Sequence, residues 1–445
     1  SGISAQVSPL QVDTLEETKI PDQWDLQSCI DYAKEQNITI RKNRITAVST
    51  QIDVKTAKAA MFPSLSFSTG QQVVNRPYQE TSSRVSGSEI ISSNSKTSYN
   101  GNYGLNASWT LYNGNKRLKT IQQEKLNNQM AELDVATSEN NIQESITQVY
   151  IQILYAAESV KVNENTLQVS IAQRDRGQEL LNAGSIAKSD LAQLEAQVST
   201  DRYQLVTAQA TLEDYKLQLK QLLELDGENE MNIYLPALSD ENVLAPLPTK
   251  KDVYISALSL RPEIEASKLN VEASELGIGI AKSSYLPTIS LSAGIGTNHT
   301  SGSDFTFGEQ VKNGWNNSIG LSVSVPIFNN RQTKSAVQKA KLQYETSMLS
   351  LLDEQKTLYK TIEGLWLDAN SAQQRYAAAN EKLKSTQISY ELISEQFNLG
   401  MKNTIELLTE KNNLLQAQQE QLQAKYMAIL NTQLLKFYQG DQLAL

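Results

Sequence analysis

Apolar positions in this chain follow two alternating periods. In residues 115–176, which hold neither Gly nor Pro, Ile142, Ile146, Val149, Ile153, Ala156 and Val160 recur in steps of four and three. That spacing is a heptad seam, which needs a partner helix. As one helix the stretch would run about 90 Å at ~1.5 Å per residue. The same device returns over residues 331–399, interrupted only by Gly364. There Met348, Leu351, Gln355, Leu358, Ile362, Leu365, Ala369, Ala372, Tyr376, Ala379 and Leu383 keep the spacing with one polar exception. Two such rods point to an internal duplication.

Ahead of each rod the period falls to two. Leu65, Phe67 and Thr69 alternate with serines. Tyr99, Gly101, Tyr103, Leu105, Ala107, Trp109 and Leu111 alternate with Asn, Gly, Ser and Thr. In the second half Ile289, Leu291, Ala293 and Ile295 alternate with Ser and Gly, as do Ile319, Leu321, Val323 and Val325 with Gly and Ser. These runs predict four strands, at about 64–74, 97–112, 288–298 and 314–328.

The chain therefore divides into an extended arm (1–24), a first repeat (25–227), a linker (228–250), a second repeat (251–440) and a short tail (441–445). The first repeat holds helices at about 25–62, 115–183 and 189–225. The second holds helices at about 252–286, 331–399 and 404–438. Pro63 and Pro287 stop the first helix of each half. Gly184 and Gly400 end the rods, as Gly does at helix C-termini. Asp25 or Ser28 opens the first helix, and Ser189-Asp190 the one after Gly184. Residues 75–96 and 298–313, rich in polar residues and Gly, read as exposed loops.

Each strand has an apolar face and a Ser/Asn/Gly face over about ten residues, the pattern of a strand that spans a membrane beside a watery lumen. A half-buried strand of a soluble sheet has the same alternation. The long rods and the wet inner face favour the membrane. Four strands cannot close a barrel, and open edges cannot sit in lipid. A membrane barrel then needs several chains, and three copies supply twelve strands. The helices would continue it as an α-helical tube, with the helices 25–62 and 189–225 stacked end to end beside one rod.

Composition narrows the rest. The net charge of -9 and the lack of a basic, aromatic-laced patch argue against nucleic acid. A single Cys, Cys29, and a single His, His299, leave no disulfide framework and no two-histidine metal site. Cys29 falls within an amphipathic helix and reads as a buried small residue; His299 reads as solvent-exposed at a strand end. Gly277-Ile278-Gly279 within a helix has the wrong spacing for a phosphate loop. With no nucleophile–base pair and no ligand cluster, neither an enzyme nor a cofactor is expected. No run of eighteen apolar residues predicts a transmembrane helix. No signal peptide is visible, and the Ser1-Gly2 start reads as processed or artificially introduced, which leaves export open.

The duplicated order, the strand exits Trp109-Thr110-Leu111-Tyr112-Asn113-Gly114 and Val325-Pro326-Ile327-Phe328-Asn329-Asn330, and the turns 181–191 and 397–407 together carry a resemblance. Over about residues 24–440 the chain resembles the outer-membrane factors of Gram-negative bacteria, the TolC-like family of efflux and secretion channels. The resemblance implies a mainly α fold with a membrane β portion. It would form a homotrimer with a twelve-stranded outer-membrane β-barrel, continued by a coiled-coil tunnel in the periplasm. The linker would lie in an equatorial belt.

The resemblance also implies that the two turns are periplasmic tips forming a closed entrance. Ala183, Gly184, Ser185, Leu399, Gly400 and Met401 would meet a periplasmic adaptor, a membrane fusion protein. Through it the channel would join an inner-membrane pump of RND, ABC or MFS type. Asp190 and Glu406 match an acid six residues after the tip Gly. Lys402 matches a basic residue tethered to an acid of the first turn, with Asp190 as its expected partner. Phe397 matches an aromatic of the same lock but lacks a Tyr hydroxyl. A second acid found in some family pores is Thr409 here, beside Glu410. A ring of Glu406 carboxylates would favour cations. Asp190 and Glu406 also suit helix N-termini through the helix dipole, and the two roles are compatible. Tyr99, Tyr103, Trp109 and Trp315 would mark a membrane interface. Cys29 lies too far from the chain start to be the lipid-bearing Cys of some family members. A coiled-coil scaffold or adhesin, soluble or surface-attached, is the competing reading.

Overall fold

The computed structural model describes residues 19–445 apart from 81, 87 and 94. Most of the expected arm, residues 1–24, lies outside the described residues. The elements run α1 (Leu26–Gln36), α2 (Ile38–Ala59), β1 (Ser64–Asn75), β2 (Ser82–Ser86), β3 (Glu89–Ser93), β4 (Thr97–Asn113), α3 (Lys116–Asn182), α4 (Lys188–Leu222), α5 (Asp240–Val243), α6 (Lys250–Leu260), α7 (Pro262–Ser283), β5 (Thr288–Thr300), α8 (Phe307–Asn313), β6 (Asn316–Ser324), α9 (Gln332–Asn398) and α10 (Thr404–Gln439). The fold is mainly α with a small four-stranded sheet. The chain divides into two compact units, and α3 and α9 contribute to both.

One unit, residues 46–131 and 266–351, holds the sheet, ordered β1-β4-β5-β6 and antiparallel throughout. Its register aligns like with like. Leu65, Ala107, Ala293 and Ile319 form one cross-strand row; Ser66, Asn106, Gly294 and Ser318 form the next. The first row lies on a face left open to solvent by this chain: Leu65 is 70% and Ile319 78% exposed. Neither β1 nor β6 has a second strand partner among the described residues. A β-bulge between Thr110 and Tyr112 bends β4 near its exit.

Several local features differ from the sequence reading. Residues 75–96 are not simply a loop, because β2 and β3 pair there as an antiparallel hairpin. The loop after β5 contains α8, whose N-terminus is closed by a capping box: Thr306 Oγ1 accepts from Glu309 N and Glu309 Oε2 from Thr306 N. β6 stops at Ser324, since Pro326 has no N–H to give a ladder. His299 is half-buried rather than exposed. Its ring stacks on Tyr103 at 5.7 Å and meets Phe307 edge-on at 5.0 Å.

The other unit, residues 19–45, 132–265 and 352–445 of the described chain, holds the helical core. Trp24, Leu26, Cys29 and Ile30 pack with Ile146, Tyr150 and Ile153 of α3, Leu219 of α4 and Tyr426 of α10. The seam residues read from the sequence are its backbone: Ile146, Ile153, Ile362, Ala369 and Tyr376 are all 1% exposed or less. Cys29 is fully buried, and burial pushes its thiol up to about 12.

The helices expected at 25–62 and 252–286 are each two helices. Asn37 leaves the helical conformation, and its Oδ1 accepts from Thr39 N (3.0 Å) while its Nδ2 donates to Leu222 O (3.1 Å). In the second half the break is Arg261, held extended before Pro262, as residues preceding proline are. The Arg261 guanidinium is buried against the Tyr438 ring at 4.1 Å. It is paired with Glu144 at 3.3 Å and Glu263 at 2.8 Å. The linker lies along the helices: Trp366 donates to Pro248 O, Gln373 to Ala245 O and Lys425 to Leu238 O. Trp24 and Ile233 bridge in parallel, and Tyr150 Oη donates to Tyr234 O. Leu443 is buried in the first core, which anchors the C-terminal tail.

Candidate functional site: the two helical tips

The two reversals, α3 to α4 and α9 to α10, are built alike. Gly184 and Gly400 both take φ of +75°, the left-handed conformation that an L side chain resists. Each helix closes with the same pair of bonds. Ser185 N donates to Leu180 O (2.8 Å) and Gly184 N to Leu181 O (2.9 Å). In the second tip Met401 N donates to Gln396 O (2.8 Å) and Gly400 N to Phe397 O (2.9 Å). These are Schellman closures, which satisfy carbonyls that the helix leaves unpaired.

The helices leaving the tips are capped by the two acids. The helix after Gly184 begins at Lys188, with Ala187 rather than Ser189 as its N-cap. Asp190, at the third position, accepts from Ala187 N at 3.0 Å; Ala187 has no side-chain acceptor to return the bond. In the second tip the box is complete. Asn403 Oδ1 accepts from Glu406 N (2.9 Å) and Glu406 Oε2 accepts from Asn403 N (3.1 Å). The other Glu406 oxygen lies 3.0 Å from Lys402 Nζ. The Asn403 N–H and Lys402 hold the Glu406 carboxyl below its ordinary value of 4.5.

Lys402 was expected to reach Asp190. It is instead paired with Glu406, from the turn just before α10 to that helix's first turn, and no ion pair joins it to Asp190 among the described residues. Glu406 is the acid that the turn brings within reach, and Asp190 is committed to its own helix start. Phe397 is buried, 3% exposed. Leu399, Met401 and Ile405 are 63–70% exposed, so the second tip carries apolar side chains outward. Thr409 Oγ1 bonds back to Ile405 O, and Glu410 accepts from Ser389 Oγ at 3.1 Å. Glu410 is thus tied to α9 within its own hairpin.

The sequence reading missed polar ties further in. Gln173 Nε2 on α3 donates to Tyr390 Oη on α9 at 2.8 Å. Lys411 of α10 is buried with Asp201 of α4 and Ser170 of α3. A signal existed: Asp201 occupies a seam position between Val198 and Leu205, and Lys411 one between Leu407 and Leu414.

Of the aromatics expected at a membrane interface, Trp109 Nε1 donates to Met61 O (2.8 Å), Tyr99 Oη to Gln71 Oε1 (2.8 Å) and Trp315 Nε1 to Asn317 Oδ1 (3.1 Å). Each of the three is exposed while its polar atom is satisfied. Among the described residues no helix is long and apolar enough to cross a membrane.

Residues 29–224 and 253–440 match the family described as outer membrane efflux protein. The chain is 24% identical over 299 residues to the outer membrane efflux protein BepC of Brucella suis, a match covering 67% of this chain and 62% of that protein. It is 24% identical over 291 residues to the outer membrane protein TolC of Escherichia coli, covering 63% and 58%. These matches span about three fifths of the length of either relative. In fold it is similar to CusC, with TM-score 0.79, 18% identity and 96% of both chains covered. It is also similar to the CmeC outer membrane channel of Campylobacter jejuni, with TM-score 0.75, 18% identity, 94% of this chain and 87% of that one.

Proposed function

The chain belongs to the outer membrane efflux protein family, and on that premise we propose that it is one subunit of a passive export duct in the outer membrane of a Gram-negative bacterium. The duct carries cargo from the periplasm to the exterior and belongs to a tripartite efflux or type I secretion system. Three copies close a twelve-stranded barrel, with β1 of one copy pairing with β6 of the next. The helices line a periplasmic tunnel, with the linker in its equatorial belt. Tyr99, Tyr103, Trp109 and Trp315 sit at the membrane interfaces.

The observation that carries this reading is the sheet. It has a solvent-exposed apolar face, a Ser/Asn/Gly face and two unpaired edges. An edge needs a strand and the apolar face needs lipid; a closed barrel in a membrane satisfies both. No catalytic chemistry is required of such a duct.

The tips are the gate. Asp190, Phe397, Lys402 and Glu406 surround the entrance, and three copies of Glu406 make it cation-selective. Lys402 is held by Glu406 in its own chain, which leaves a contact to Asp190 of a neighbouring copy as its other closed-state role. Ala183, Gly184, Ser185, Leu399, Gly400 and Met401 receive the hairpins of a periplasmic adaptor, and the exposed Leu399 and Met401 suit an apolar contact. The adaptor connects the duct to an inner-membrane pump.

The test is single-channel conductance of the detergent-purified protein in a planar bilayer, wild type beside Lys402→Ala. A small, cation-selective conductance that rises in the variant supports a duct closed at the tips through Lys402. A small conductance that the variant leaves unchanged keeps the duct and removes Lys402 from its gate. Protein that is soluble without detergent and never inserts overturns the duct and restores the coiled-coil scaffold.

A further inference from the structure

Charged side chains are costly in a helical core, and this chain buries a pair of them at one level. Lys411 is 3% exposed, Asp201 2% and Ser170 1%. Lys411 Nζ donates to Asp201 Oδ2 and to Ser170 Oγ, and Ser170 Oγ donates to the same carboxylate oxygen. The other oxygen of Asp201 accepts from Gln197 Nε2 at 3.0 Å, and Gln197 also reaches Asn412 Oδ1 at 3.3 Å. Burial lowers the Lys411 ammonium below its ordinary value, against the pull of Asp201.

The cluster joins the two hairpins. Ser170 and Asp201 stand on α3 and α4, the arms of the first; Lys411 stands on α10, in the second. It lies about two turns into α10 at 3.6 residues per turn. The neighbouring seam residues Leu407 and Leu414 are apolar, and apolar contacts change little when one helix slides a fraction of a turn past another. An ion pair does not behave that way. Any slip of α10 against α3 and α4 leaves an ammonium and a carboxylate unpaired in a dry core. A buried polar pair is thus a poor source of stability and a good determinant of register.

We propose that Lys411, with Asp201 and Ser170, is a register pin that fixes the second tip hairpin against the first in the closed position, a gating determinant separate from the contacts at the tips themselves. The proposal rests on the reading of the tips as a gate. Opening would require Lys411 to exchange its partners, so the pin acts in series with Lys402.

The charge-free pair Asp201→Leu with Lys411→Met tests it, because it removes both charges and leaves none orphaned. In planar bilayers the pair should raise open probability about fivefold or more, the scale of a coupling between two packed elements. The same pair in the Lys402→Ala background should exceed Lys402→Ala alone. Lys411→Arg, which keeps the charge, should retain the wild-type conductance. Asp201→Asn with Lys411→Gln, polar but uncharged, serves as the second variant should the apolar pair not assemble, and should raise open probability in the same direction. A wild-type conductance from the assembled neutral variants, alone and with Lys402→Ala, overturns the pin and leaves the duct intact. A wild type without any conductance overturns the duct reading first, and the pin with it.

Discussion

Lys402 and Glu406 are bound to each other, Nζ to Oε1 at 3.0 Å, the lysine in the turn before α10 and the glutamate in its first turn. The same carboxylate caps that helix through Asn403 N. One residue therefore carries two roles, a structural one at the helix start and an electrostatic one at the proposed entrance. Glu406→Gln separates them, since an amide oxygen still accepts the capping bond while the charge is gone. The cation-over-anion permeability ratio in asymmetric salt should fall towards unity, with the trimer intact. An unchanged ratio would remove Glu406 from the selectivity of the pore.

Acid should act through the same carboxyl. Its value in the folded chain lies below the ordinary 4.5, held there by the Asn403 N–H and Lys402. The stabilisation is then fully present above pH 4.5 and is lost as pH falls through the lowered folded value. Thermal unfolding of wild type and Glu406→Gln across the acid range should show a gap that is constant above that pH and closes below it. A gap of unchanged size along the whole acid limb would contradict the assignment.

The two faces of the sheet should respond oppositely to charge. Leu65 and Ile319 lie in the exposed apolar row, Ser66 and Ser318 in the polar one. Ile319→Lys should cost ~2–4 kcal/mol if it meets the bilayer midplane, and should sharply reduce recovery of heat-resistant trimer from membranes. Ser318→Lys should assemble normally and shift ion selectivity towards anions. Equal tolerance at both positions would mean that neither face meets lipid.

Gly400 and Gly184 are replaceable in space but not in conformation. No atom lies within 4 Å of a Cβ built at either position, yet both have φ of +75°. Alanine there should cost about 1–2 kcal/mol per chain from backbone strain alone, without a steric clash. Gly440→Ala, where φ is +112° and Leu260 Cδ1 lies 2.7 Å from the built Cβ, should cost more. Differential scanning of the three variants gives the order; a Gly440 variant as stable as the other two would break it.

The rods, the strand alternation and the tip glycines were legible because each is a periodic or punctuated pattern spread over many residues. Ile146, Ile362 and Tyr376 fall on their seams as the spacing required. What escaped was local. The break at Asn37 depends on a side chain that caps α2 and reaches Leu222, nearly two hundred residues away. The break at Arg261 has a sequence signal in Pro262, which disfavours helix at the residue before it. Within one chain Lys402 meets Glu406, a pairing set by the turn before α10 that no periodic pattern signals. Lys411 and Asp201 stood in view as charged residues on apolar seams, but only the packed helices bring them together.

The edges of β1 and β6, without a second strand partner among the described residues, bear on inheritance as well as on architecture. In a ring of three identical subunits each sheet is completed by both neighbours, so a chain damaged at one edge spoils every ring it enters. In a cell making native and edge-blocked chains together, the fraction of intact rings falls as the cube of the native fraction. Such a lesion would be genetically dominant, whereas a chain unable to fold at all would be merely recessive.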